Sequence, residues 1–235
     1  MAREPGRRNV VRRHPILTGL AVLILGGVAW SSVNSYLHRP ERADIAPEEP
    51  TRSIDPLQPV AAFASLPDEA SRSVALFNEA GRVIQHPRCM NCHPVGDRPT
   101  QGDRMTPHEP WVTRGPDGQG APGLECKTCH GFSNFEPSGV PGDPHWALAP
   151  ASMAWQGKTL GEICRQIKDR TRNGDRSLDD IVHHMAEDGL VGWAWNPGGD
   201  RTPAPGTQEA FGALIRAWVE TGAECPADAS VALRR

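Results

Sequence analysis

The chain has 235 residues, a net charge of −3, 38% hydrophobic residues, and 24 Gly with 23 Pro. Gly and Pro at about a fifth of the chain, against a usual share of about 12%, exclude a large uninterrupted protein core and imply loops that wrap something other than protein. The charge excludes a generally basic nucleic-acid binder, so no nucleic-acid partner is expected.

Residues 1–37 read as a basic tail and an apolar segment. Arg3, Arg7, Arg8, Arg12 and Arg13 precede a run from Ile16 to Val33 that only Thr18, Ser31 and Ser32 interrupt. Eighteen residues at 1.5 Å rise give about 27 Å, close to a hydrocarbon core of about 30 Å. The expectation is a retained N-terminal membrane anchor in an inner membrane, with the basic end in the cytoplasm and the rest in the periplasm. The alternative is a cleaved signal peptide and a soluble periplasmic protein. Residues 38–64, with Pro40, Pro47, Pro50, Pro56 and Pro59 among acidic side chains, read as a semi-rigid linker.

The first helix is expected to open at a capping box, Ser65-Leu66-Pro67-Asp68, and to show Val74, Phe77, Gly81 and Ile84 on one face. Pro87 ends it, directly before Cys89-Met90-Asn91-Cys92-His93. A second copy of that pattern is Cys126-Lys127-Thr128-Cys129-His130. C-x-x-C-H is the attachment signature of c-type haem: two thiols bind one porphyrin and the following His ligates its iron from below. The four thiols would also make a four-thiolate zinc ribbon, but that leaves both histidines unused. A redox dithiol would need a βαβ context, and none is visible. Two covalent haems are therefore expected, on Cys89 and Cys92 and on Cys126 and Cys129, with His93 and His130 as proximal ligands.

The distal positions have several candidates. Met153 lies in a Pro-containing loop ahead of a helix that Thr159-Leu160-Gly161-Glu162 opens. His184 lies on the inner face of a further helix opened by Ser177-Leu178-Asp179-Asp180, with Asp188 within hydrogen-bond reach as its alternative partner. His108 lies in a Pro-flanked loop between the motifs. His86, His145, Met90, Met105 and Met185 are weaker candidates. Trp146, Trp155, Trp193, Trp195 and Trp218 suit flat packing on porphyrin faces or ordinary core packing. Phe211, Leu214 and Trp218 mark a last amphipathic helix, closed by Gly222. Cys164 and Cys225 are left over and are expected to pair in an oxidising compartment.

A helix leading into C-x-x-C-H, Phe77 and Gly81 against Phe211 to Trp218, and a methionine loop at Leu148 to Met153 together resemble the class I cytochromes c. The resemblance covers roughly residues 65–226, leaving a tail at 227–235. It departs from that family in holding a second motif about 34 positions after the first, inside the same body. The stretches His108 to Gly118, Trp146 to Pro150 and Asp188 to Gly198 are similar to bacterial dihaem cytochrome subunits labelled "isoquinoline 1-oxidoreductase subunit". The resemblance implies a mainly α fold with cytochrome c-like helices and long Gly/Pro-rich loops. It also implies electron transfer from a periplasmic dehydrogenase, such as a molybdenum hydroxylase, to a respiratory acceptor. The chain itself carries no molybdopterin or iron–sulfur motif. The rival reading is a dihaem peroxidase or oxidase with one five-coordinate iron, although the known dihaem peroxidases are longer.

Overall fold

A computed structural model describes residues 55–228, all within one compact unit. About 40% of these residues are helical and 6% are in strands, so the body is mainly helical, with loops making up most of the rest. Four helices carry the packing. They are α1 (Glu69–Ile84), α3 (Leu160–Lys168), α4 (Leu178–Glu187) and α6 (Gln208–Glu220), and the one-turn helices α2 (Pro87–Met90) and α5 (Gly189–Gly192) follow α1 and α4.

Each long helix starts where a short polar side chain replaces a missing backbone partner. Thr159 and Glu162 form the expected capping box at α3, and Ser177 and Asp180 form the one at α4. Thr207 accepts from Ala210 N at 3.1 Å to open α6. At α1 the expected box gives way to a tighter device. Asp68, not Ser65, is the cap, and its carboxylate accepts from both the Ser71 amide (2.7 Å) and the Ser71 hydroxyl (2.8 Å). Those bonds hold the Asp68 carboxyl below its ordinary range. Asp68 itself is extended, which a helix running from Ser65 could not accommodate.

Helix α6 lies at the centre, packed against α1 on one side and α4 on the other. Phe77 and Trp218 are fully buried with ring centroids 4.7 Å apart. Trp218 is also held by its Nε1, which donates to Glu224 O at 2.9 Å. At the α6–α4 contact a Cβ on Gly212 would stand 2.5 Å from Ala186 Cβ, so only glycine permits that approach. Gly81, expected against the last helix, instead faces the Leu160 side chain of α3. Cys164 of α3 and Cys225, just past α6, form a disulfide with Cα atoms 5.6 Å apart.

Between α2 and α3 runs a long loop region with two short hairpins: β1 (Thr100–Gln101) with β2 (Thr106–Pro107), and β3 (Gly120–Ala121) with β4 (Leu124–Glu125). The end of the expected linker also belongs to this body. Leu57 is buried in the core against Gly206, Gln58 N donates to Glu79 at 2.9 Å, and Arg82 donates to Pro56 O at 2.9 Å.

The expected anchor, Ile16 to Val33, lies outside the described residues. Among the described residues no helix is long and apolar enough to cross a membrane. The expected transmembrane helix and inner-membrane placement are corrected accordingly. The longest helix among the described residues, α1, has 16 residues and carries Arg72, Glu79 and Arg82, so it buries one face in the core and is too short for a hydrocarbon layer of about 30 Å.

Candidate functional site

Helix α2 turns the first motif inward. Pro87 occupies its first turn and His86 caps it, accepting from Arg88 N at 3.3 Å. The turn continues through Cys92 N to Cys89 O at 3.1 Å and His93 N to Met90 O at 3.3 Å. Cys89, Cys92 and His93 thereby line a cavity of about 290 Å³, with Ile181, His184 and Met185 of α4 also in its wall. His93 Nδ1 lies 2.7 Å from Met153 O, and Trp155 stacks on the imidazole at 3.5 Å and 10°. A carbonyl only accepts, so Nδ1 carries the proton and the Nε2 lone pair is left available.

The second motif repeats this construction in a different local fold. Cys126 to Thr128 form a 3-10 turn directly after β4, closed by His130 N to Cys126 O at 3.0 Å. Cys126, Cys129 and His130 line a second cavity of about 610 Å³. His130 Nδ1 lies 2.7 Å from Pro141 O, and Trp146 stacks on the ring at 4.6 Å and 13°. His108 lines the same cavity, with its ring centroid 6.0 Å from that of His130 and its own Nδ1 3.0 Å from Pro110 O. Two imidazoles thus share one cavity, each with Nδ1 facing a backbone carbonyl and its Nε2 lone pair left available.

Burial sets the electrostatics. It pushes the Cys89 thiol up to about 12 and the Cys92 thiol to about 11, and it also raises Cys126. These sulfurs stay protonated at neutral pH, which disfavours thiolate chemistry. Burial pushes His93 down to about 4 from 6.5, against the raising effect of the Met153 carbonyl, and it lowers His130 and His184 as well. The neutral form of His93 has a measurable consequence. Between pH 6.5 and 4 the unfolded chain takes up a proton that the folded chain refuses. For the polypeptide with no metal at His93, stability should therefore fall as pH drops from about 6.5 and level off near 4, by up to about 3 kcal/mol. Urea midpoints across that range test it, and a flat profile would contradict it.

Among the described residues no three His, Cys, Asp or Glu side chains gather into a site for a free metal ion. That corrects the metal-binding expectation in its simple form and removes the zinc ribbon with it. Iron would have to arrive inside its own macrocycle. The residues fit that group. Arg88 Nε and Trp155 Nε1, both in the wall of the first cavity, are buried without hydrogen-bond partners, as expected of donors awaiting a ligand.

Met153 also lines the first cavity; its carbonyl holds the Nδ1 edge of His93, so its backbone stands on the side of the imidazole away from Nε2. The candidates that share the first cavity with His93 from α4 are His184, held by Asp188 at 3.2 Å, and Met185, which is 5% exposed. Sequence reasoning ranked Met185 low although it shares a helical face with Ile181, and that face was the available signal. It assigned no role to Arg88 and did not foresee that Trp155 and Trp146 stack on the motif histidines rather than simply filling the core.

The chain matches no protein-family model, no curated protein and no solved structure.

Proposed function

We propose that the chain is a dihaem c-type cytochrome that passes electrons from a dehydrogenase or other oxidoreductase, such as a molybdenum hydroxylase, to a respiratory acceptor. The observation that carries this reading is the duplicated construction. Each C-x-x-C-H brings its two cysteines and its histidine to the wall of a cavity, and in each case a backbone carbonyl fixes the His tautomer and a tryptophan stacks on the ring. Cofactor-binding histidines are oriented by a bond at the other nitrogen in the same way.

The haem iron, when bound, supplies one-electron exchange. Cys89 and Cys92, and likewise Cys126 and Cys129, would hold the macrocycles as thioethers, with His93 and His130 as proximal ligands. His108 would serve the distal side of the second haem, and His184 or Met185 that of the first. The apolar side chains in the first cavity, among them Ile84, Ile167, Ile181 and Phe211, would limit the reorganisation that accompanies electron exchange there. Cys92, Leu148 and Trp193 line both cavities, which supports a short path between two centres. The cytochrome c-like arrangement is part of the same reading, and it rests on α1 leading into the first motif and meeting α6 through Phe77 and Trp218.

The decisive measurement is stoichiometry. The mature chain should carry two haems that resist acid–acetone extraction and appear in its intact mass. Cys92→Ala and Cys129→Ala should each weaken or abolish attachment at one site only. A chain isolated with no covalent porphyrin, or with one, would overturn the reading.

A further inference from the structure

Arg88 stands one residue before the first motif and contributes to the walls of both cavities. Its side chain is only 1% exposed. One edge of the guanidinium is ion-paired with Asp103, while Nε has no hydrogen-bond partner. Trp193, also common to both walls, lies with its ring centroid 5.9 Å from the guanidinium carbon. Asp103 is fixed from its other side, accepting from Thr202 N at 3.2 Å and from Thr202 Oγ1 at 2.6 Å, yet its side chain remains 42% exposed.

A guanidinium withdrawn from water is costly unless it is fully paired. Here the compensation is partial: one carboxylate, itself in contact with solvent and therefore screened, and one donor left unspent. The guanidinium charge is therefore only partly offset by its direct partner, and it stands in a wall shared by both cavities, where charge carries further than in water. We propose that Arg88 is the shared electrostatic control of two redox centres, one in each cavity, raising both reduction potentials together. The proposal rests on the dihaem reading. The physical reason is simple. A nearby cation favours whichever form holds one more electron, and this cation borders both sites. Asp103 is a positioning residue that tunes it from outside.

The test uses the full chain with both haems attached, and potentials from optical redox titration. Arg88→Gln removes the charge and should lower both midpoint potentials. Asp103→Asn keeps an acceptor for Thr202 but removes the compensating charge, and should raise both. Arg88→Lys should keep most of the wild-type values. If Arg88→Gln fails to fold or loses a haem, Asp103→Asn decides alone. With two haems present by intact mass, a shift confined to one centre, or none, overturns the role of Arg88 and leaves the dihaem reading standing. Absence of covalent haem from the parent chain overturns both.

Discussion

Replacing His108 by Ala should convert one of the two haems from low spin to high spin and leave the other unchanged. The imidazoles of His108 and His130 line a single cavity with ring centroids 6.0 Å apart, and each has its Nδ1 committed to a backbone carbonyl. Removing His108 takes away the only second imidazole in that wall, so the iron bound to His130 would lose its sixth ligand. The expected readout is a loss of about half of the low-spin ferric EPR signal, with new high-spin intensity and rapid cyanide binding at one site. The first cavity separates differently. His184→Ala and Met185→Ala should each leave the second haem untouched, and the one that abolishes the low-spin signal of the first haem identifies its ligand. A sulfur-to-iron band at the red end of the ferric spectrum, lost in Met185→Ala and kept in Met153→Ala, would assign Met185. A wild-type protein that is already half high-spin and turns over hydrogen peroxide would instead make one site catalytic and end the case for a simple electron carrier.

Replacing Cys164 and Cys225 together by Ser should cost about 4 kcal/mol of unfolding free energy, from the loop-entropy relation for a cross-link of this span. The cross-link spans 61 positions, and that loop contains α4, with His184 and Met185, and all of α6. It also ties α3, which follows the loop behind His93, to the end of the helix at the centre of the core. Urea unfolding with and without reductant measures the effect. The reduced or doubly substituted chain should unfold at clearly lower urea with the native spectrum intact, since neither sulfur lines the cavities. A change of less than about 1 kcal/mol would mean that the packing of Trp218 and Phe77, and not the cross-link, sets the stability of this region.

Several features were legible because they depend on neighbours in the chain. A capping residue and its partner three positions on are adjacent in any helix, so the starts of α3 and α4 could be read directly. The C-x-x-C-H motifs are local for the same reason: the turn that brings two sulfurs and an imidazole to one side needs only five residues. The mainly helical class followed from the 3.6-residue spacing of Phe77, Ile84, Leu214 and Trp218. The start of α1 was misread where two local devices competed, and the Asp68 carboxylate, with two bonds from Ser71, outweighed Ser65.

What the sequence determined by itself, then, is the helical class, the two motifs and the identity of their thiols and histidines, because all of these are set by residues within a turn or two of each other. Only the tertiary structure decided what stands opposite what. Met153 and His93 are 60 positions apart, and no periodicity says whether a loop passes in front of an imidazole or behind it. The hydrogen bond from the His93 ring Nδ1 to Met153 O put that loop's backbone behind the ring, and the packing of α4 on α6 brought His184 and Met185 to the same cavity. The placing of Arg88 between two cavities is of the same kind. A buried guanidinium looks like any other arginine in sequence, and its position became visible only when loops from both sides closed around it.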